Sequence, residues 1–130
     1  MGSRDVRKVI ESYLEGWRSG DRDAWLALFA DHARLVDPVG KPAHEGKAAI
    51  GAFWDGLHRV PMTFRPEVRR IAVCGNRAML DFAMHALGPD GSGMAVDVVD
   101  IFQLTDDYRI ESLEAYWDSR CMRPVLPAAS

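Results

Sequence analysis

The chain is poor in cysteine, with two in 130 residues. Cys74 and Cys121 stand alone, without CxxC spacing or a histidine partner, so they read as reduced bystanders. That points away from a disulfide scaffold, a thiolate metal site and a cysteine nucleophile. Histidine is nearly as sparse: His32, His44, His58 and His85 form neither HxH nor HExxH, and no metal is expected. An excess of positive charge is also missing. The formal net charge is −3, which gives no reason to expect nucleic acid or an anionic membrane surface as partner. No apolar run approaches the roughly 20 residues of a membrane span. The N-terminus lacks the apolar region of a signal peptide, so the expected location is the cytoplasm. Internal repeats and interdomain linkers are absent too.

What is present belongs to an ordinary globular domain. Hydrophobic residues make up 48% and charged residues 27%, and the length suits one domain, residues 1–130, with a real core. Arg123 to Ser130, carrying Pro124 and Pro127, is expected to be a loosely ordered tail.

The first third is helical in period. Ser3 or Asp5 can cap a helix whose apolar residues are Val6, Val9, Ile10, Tyr13, Leu14 and Trp17, and Gly20 ends it. Asp21 or Asp23 opens a second helix with Trp25, Leu28 and Phe29 inward. A short extended piece, Ala33 to Asp37, runs into Pro38 and Gly40. The residue before a proline avoids helical backbone, so Asp37 should be extended at the lip of a turn. A third helix buries Ile50, Phe53, Trp54 and Leu57.

From Met62 the period changes to two. Phe64–Val73, Ala78–Leu87, Met94–Leu104 and Arg109–Trp117 are candidate strands joined by short, turn-rich connectors, which argues for antiparallel hairpins. Pro66 should sit at a sheet edge or bulge. Helices first and a strand meander afterwards is an α+β layout: a curved, mostly antiparallel sheet wrapped over three N-terminal helices, leaving a conical cavity between the layers.

One strand carries an oddity. In Val96-Asp97-Val98-Val99-Asp100-Ile101-Phe102 the two aspartates point to opposite faces. Asp100 shares its face with Val96, Val98 and Phe102, where a carboxylate is costly unless paired, hydrogen-bonded or neutral. Either backbone amides at a bulge satisfy it, or it is kept neutral beside a pocket. Asp97 then takes a structural or interface role. Leu80, Phe82 and Met84 should face the helices, with Asp81, Ala83 and His85 opposite. Parity places Glu111 on the apolar side of the last strand, so it should precede the regular strand or lie at its rim.

Four stretches together resemble the Δ5-3-ketosteroid isomerase family of the cone-shaped NTF2-like or SnoaL-like fold. They are Tyr13-Leu14-Glu15-Gly16-Trp17 with Gly20-Asp21; Leu28 to Ala33 running into Val36-Asp37-Pro38-Val39-Gly40; Ala48 to Trp54; and Asp97 to Asp100 with Ala115-Tyr116-Trp117. The resemblance implies a cofactor-independent isomerase. Asp37 would be the general base, and Tyr13 and a protonated Asp100 would donate hydrogen bonds to a dienolate oxygen, an arrangement already established for ketosteroid isomerase. Phe53, Trp54, Leu80, Phe82, Met84, Val98, Phe102, Leu113 and Trp117 would wall a site for a small hydrophobic, steroid-like ketone. A homodimer is implied as well. The sequence departs from the family at Phe29 and Trp54, where further tyrosines often support the first; the Trp54 indole is a candidate replacement donor. The alternatives are a SnoaL-like cyclase or other acid–base enzyme, and a non-catalytic ligand-binding module. A limonene-epoxide-hydrolase-like site is disfavoured because no arginine falls on the expected pocket faces.

Overall fold

The computed structural model describes residues 2–127. Three helices, α1 (Ser3–Ser19), α2 (Arg22–Ala27) and α3 (Gly46–Leu57), lie against a curved sheet of seven strands. These are β1 (Phe29–Val36), β2 (His44–Glu45), β3 (Thr63–Cys74), β4 (Arg77–Leu87), β5 (Gly93–Leu104), β6 (Ile110–Tyr116) and β7 (Met122–Val125). The order is β2-β1-β6-β5-β4-β3, with β7 beside β5. All pairings are antiparallel except β1 with β6.

Helix α1 is amphipathic: Val6, Ile10, Tyr13, Leu14 and Trp17 are all buried, as their i, i+3, i+4 spacing requires. Its cap position is held by Gly2 rather than by Ser3 or Asp5, and Gly20 closes it in the left-handed region at φ 72°, which costs glycine nothing. Asp21 caps α2 by accepting from the Ala24 N–H at 3.1 Å. Helix α2 stops at Ala27, and Phe29, expected on its inner face, is the first residue of β1. The reason is tertiary. Phe29 pairs in parallel with Ile110, and the Ile110 N–H donates to Leu28 O at 2.8 Å.

Strand β3 is an edge strand, so Pro66, in register with Met84 of β4, lies at a sheet edge as expected. The Glu111 parity conflict resolves through a bulge. Leu104 pairs with Ile110 and Gln103 with Ser112, which leaves Glu111 unpaired and exposed inside β6 rather than before it. Ile110, Leu113 and Ala115 are thereby all buried.

Past β6 the chain returns to the sheet. Residues Val99 to Leu104 of β5 pair with β6, and Gly93 to Val96 pair with β7 along the same side. The expected loose tail is therefore corrected at Arg123–Val125, which are strand; residues 128–130 lie outside the described residues. On the outer face Asp97 accepts from Arg69 at 2.6 Å and from Arg123 at 2.8 Å, so one carboxylate ties β3 and β7 to β5. Among the described residues no helix is long and apolar enough to cross a membrane.

Candidate active site

Between α1, α3 and the concave face of the sheet lies a cavity of about 480 Å³, within the range of small-molecule sites. Asp37, Tyr13 and Asp100 all line it.

Asp37 and Trp117 meet because β1 and β6 are parallel. Val36, the last residue of β1, pairs with Glu114, two residues before β6 ends, so Asp37 and Trp117 leave the sheet at the same end. The Trp117 indole N–H donates to Asp37 Oδ1 at 2.6 Å. The turn after Asp37 is pinned: the Val39 N–H donates to Ala115 O at 2.8 Å, and Gly40 takes φ 105°, a backbone state that favours glycine. Burial raises the Asp37 pKa, while the Trp117 hydrogen bond and the charge of His44 pull it down. Burial is the largest of these influences, so the Asp37 carboxyl lies above its ordinary range.

Asp100 sits mid-strand, flanked by Leu80 on β4 and Ala115 on β6, and is 2% exposed. Its side chain points at α1, where the Tyr13 hydroxyl donates to Asp100 Oδ2 at 3.4 Å. Burial pushes the Asp100 pKa far above the ordinary aspartate value, and the nearby Asp37 adds to the rise; the Tyr13 hydrogen bond only partly opposes it. Both influences favour the protonated form of Asp100, the form of a carboxyl group that can donate. Tyr13 is raised by its own burial and then by Asp100, and is partly relieved by the Trp17 indole. It stays a phenol. The cavity thus brings together the Tyr13 hydroxyl and two carboxyl groups, Asp37 and Asp100, all with pKa values raised by burial.

Of the anticipated wall residues, Phe53, Phe82, Met84, Val98 and Trp117 line the cavity. Trp54, Leu80, Phe102 and Leu113 do not; all four are core. Their faces were read correctly but their depth was not. Trp54 stacks on His58 and packs at a tilt against Trp17 and Trp25, and Phe102 meets the Tyr13 ring edge-on at 5.0 Å. These residues fill the closed end and set the floor. The walls also include Trp17, Pro38, Lys41, Leu57, Phe64, Ala86, Met94, Val96 and Met122. Helical period had flagged Trp17 and Leu57 as apolar, and Leu57 proves to be a partly exposed mouth residue. Met122 had no signal, because nothing in the sequence announces that β7 folds back. Among the described residues no three His, Cys, Asp or Glu side chains cluster as metal ligands, and Cys74 and Cys121 are free.

Fold and cavity together define a cone-shaped α+β domain with an apolar small-molecule chamber and an acid–base cluster inside it. The chain belongs to the SnoaL-like domain family, which its residues 10–113 match. Over 115 residues it is 28% identical to a steroid Delta-isomerase of Nocardioides simplex, spanning 88% of this chain and 91% of that one. Among solved structures it resembles the Δ5-3-ketosteroid isomerase from a Mycobacterium species, with TM-score 0.82, 25% identity and coverage of 93% and 98% of the two chains. It also shares its fold with SalBIII, an epoxide hydrolase/cyclase-like enzyme with a role in pyran ring formation in the polyether salinomycin. That match has TM-score 0.80, 23% identity and coverage of 92% and 95%.

Proposed function

We propose that the protein is a steroid delta-isomerase, converting a 3-oxo-Δ5-steroid into the conjugated 3-oxo-Δ4-steroid. One observation carries the reading: Asp37 opens onto the same apolar cavity as Tyr13 and Asp100, which are hydrogen-bonded to each other and buried in a setting that favours their protonated forms. Asp37 removes a proton from the carbon between ketone and alkene. The electron pair moves onto the ketone oxygen, and Tyr13 and protonated Asp100 hydrogen-bond the dienolate so formed. Donors fixed in advance in a site shielded from water stabilise that charge far better than water-exposed ones. Asp37, now a carboxylic acid, returns the proton two carbons along. Proton and electrons are conserved, so the chemistry calls for no metal or organic cofactor. The similarity in sequence to a steroid Delta-isomerase and in fold to a Δ5-3-ketosteroid isomerase supports the choice over other acid–base chemistry. Pairing of two copies through the outer face of the sheet, in the cytoplasm, belongs to the same reading; light scattering on purified protein tests the stoichiometry.

The direct test is to add 5-androstene-3,17-dione and follow the absorbance of the conjugated enone. Turnover well above buffer is expected, and it should be blocked by a phenol shaped like equilenin. Tight phenol binding without turnover would replace the isomerase with a ligand-binding module.

The Trp117 contact makes a further prediction. Its N–H lowers the Asp37 pKa, so Trp117→Phe should move the acidic limb of the kcat/KM pH profile to higher pH. A single hydrogen bond to a charged group is worth about 1.5–3 kcal/mol, and one pH unit corresponds to about 1.4 kcal/mol, so the displacement should approach one unit or more. An unmoved limb would mean that the limb does not report Asp37.

A further inference from the structure

The residues that line the cavity differ sharply in exposure. Tyr13 and Asp100 are 4% and 2% exposed, whereas Lys41, Leu57 and Met122 are the exposed members of the wall. The opening therefore lies between the turn after Asp37, the last residue of α3 and the first residue of β7. Leu57 and Met122 give it apolar surface, and Lys41 gives it a cation. No other lysine or arginine lines the cavity.

Lys41 has a fixed backbone and an unpaired head. Its N–H donates to Pro38 O at 3.1 Å, closing the same turn whose Val39 N–H is bonded to Ala115 O. Among the described residues its ammonium forms no ion pair. Nor is Lys41 one of the groups that shift the pKa of Asp37, so its charge is not a partner of the base. For a wholly neutral ligand a hydrated ammonium at the opening adds little. An anionic ligand is a different matter. Ionised Asp37 would repel it, and a cation at the opening offsets that repulsion and draws the anion in.

A ligand whose ketone meets Tyr13 and Asp100 must send its far end toward this opening, because core residues such as Trp54 and Phe102 fill the closed end. We propose that Lys41 is a specificity-determining residue that pairs with a carboxylate on the far end of the ligand, so that the preferred substrate is a 3-oxo-Δ5-steroid with an acidic side chain. The inference rests on the isomerase reading for the ring system and goes beyond it in the side chain. The hydrocarbon part of that side chain lies against Leu57 and Met122, the thioether adapting to its shape. The carboxylate accepts charge-assisted hydrogen bonds from the ammonium, which a ketone or ester at the same place could match only weakly. Lys41 moves no proton in the reaction.

The test compares 3-oxochol-5-en-24-oic acid with its methyl ester, which differs only in charge at the tail. The readout is the ratio of their kcat/KM values, acid over ester. The wild type should favour the acid, and Lys41→Gln should lower the ratio about fivefold to tenfold, the scale of one partly screened charged hydrogen bond. Lys41→Arg keeps the charge and should keep most of the preference. High salt should erode the ratio in the wild type and leave that of Lys41→Gln nearly flat. Lys41 is exposed and any non-proline residue retains its backbone bond to Pro38, so these variants should fold. A ratio that Lys41→Gln leaves unmoved would overturn the proposal, and isomerisation of the ester would then leave the isomerase reading standing. A second arm needs no turnover: binding of the conjugated product acid and its ester, followed by the fluorescence of the cavity tryptophans. If nothing is isomerised but the acid still binds more tightly than the ester in a Lys41-dependent way, the anion subsite stands and the isomerase reading is what fails.

Discussion

Asp37→Asn should lower kcat by about 10²–10⁴-fold, the usual worth of a positioned general base, while the protein stays folded. Asparagine keeps a side-chain oxygen that can accept from the Trp117 indole, so the turn at Pro38 and the approach of β1 to β6 have no reason to change. KM should stay within a few-fold, because the walls that bind the substrate are untouched. Binding of an equilenin-like phenol should tighten. Asp37 is a source of negative potential that raises the pKa values of both Tyr13 and Asp100; without it, a phenolate placed against those donors feels less repulsion. Stopped-flow enone formation and a fluorescence titration check the two halves. A variant as active as the wild type would remove Asp37 from the mechanism, and weaker phenol binding would place the ligand oxygen elsewhere than at Tyr13 and Asp100.

The period-two stretches located β3, β4, β5 and β6 to within one or two residues, because hydrophobic alternation is a local property of the chain. Asp100 was legible for the same reason. It breaks an apolar face, and the break survives any register the strand adopts. Long-range pairing was not legible. That β1 runs parallel to β6, bringing Asp37 to Trp117, depends on partners some eighty positions apart, and no local pattern encodes it. The Glu111 conflict was a true signal of a bulge, read instead as a boundary. Leu80 and Phe102 show the limit on the wall residues. Parity assigns the face, but whether a side chain meets cavity or core depends on how far α1 and its aromatic cluster reach along that face. Arg123 shows another: two prolines near the C-terminus suggested a loose tail, whereas pairing with β5 and the bond to Asp97 hold the segment in the sheet.

Asp100 separates function from stability most sharply, because the two should move in opposite directions. Asp100→Leu deletes one of the two donors at the deep end of the cavity and should cost about 10²–10³-fold in kcat, the scale of a lost oxyanion donor. Asp100→Asn keeps an N–H and should lose less. Stability should rise in both. The folded pKa of Asp100 lies well above its ordinary value, through burial first and Asp37 second. Between the unfolded pKa, about 3.9, and that raised folded value, the native state holds a proton that the unfolded chain has released. Unfolding free energy therefore falls as pH rises through this window, by up to about 1.4 kcal/mol per pH unit, and levels off above the folded pKa. The Asn variant lacks this titration. Its advantage over wild type should be near zero at about pH 4, grow with pH, and then plateau; the pH of the plateau reads the native pKa of Asp100. Urea unfolding of the two proteins across pH 4–9 makes the measurement (~1 unit steps suffice for that slope). If the two stability curves stay parallel, Asp100 is ionised in the native state, cannot donate to a ligand oxygen, and the oxyanion site would rest on Tyr13 alone.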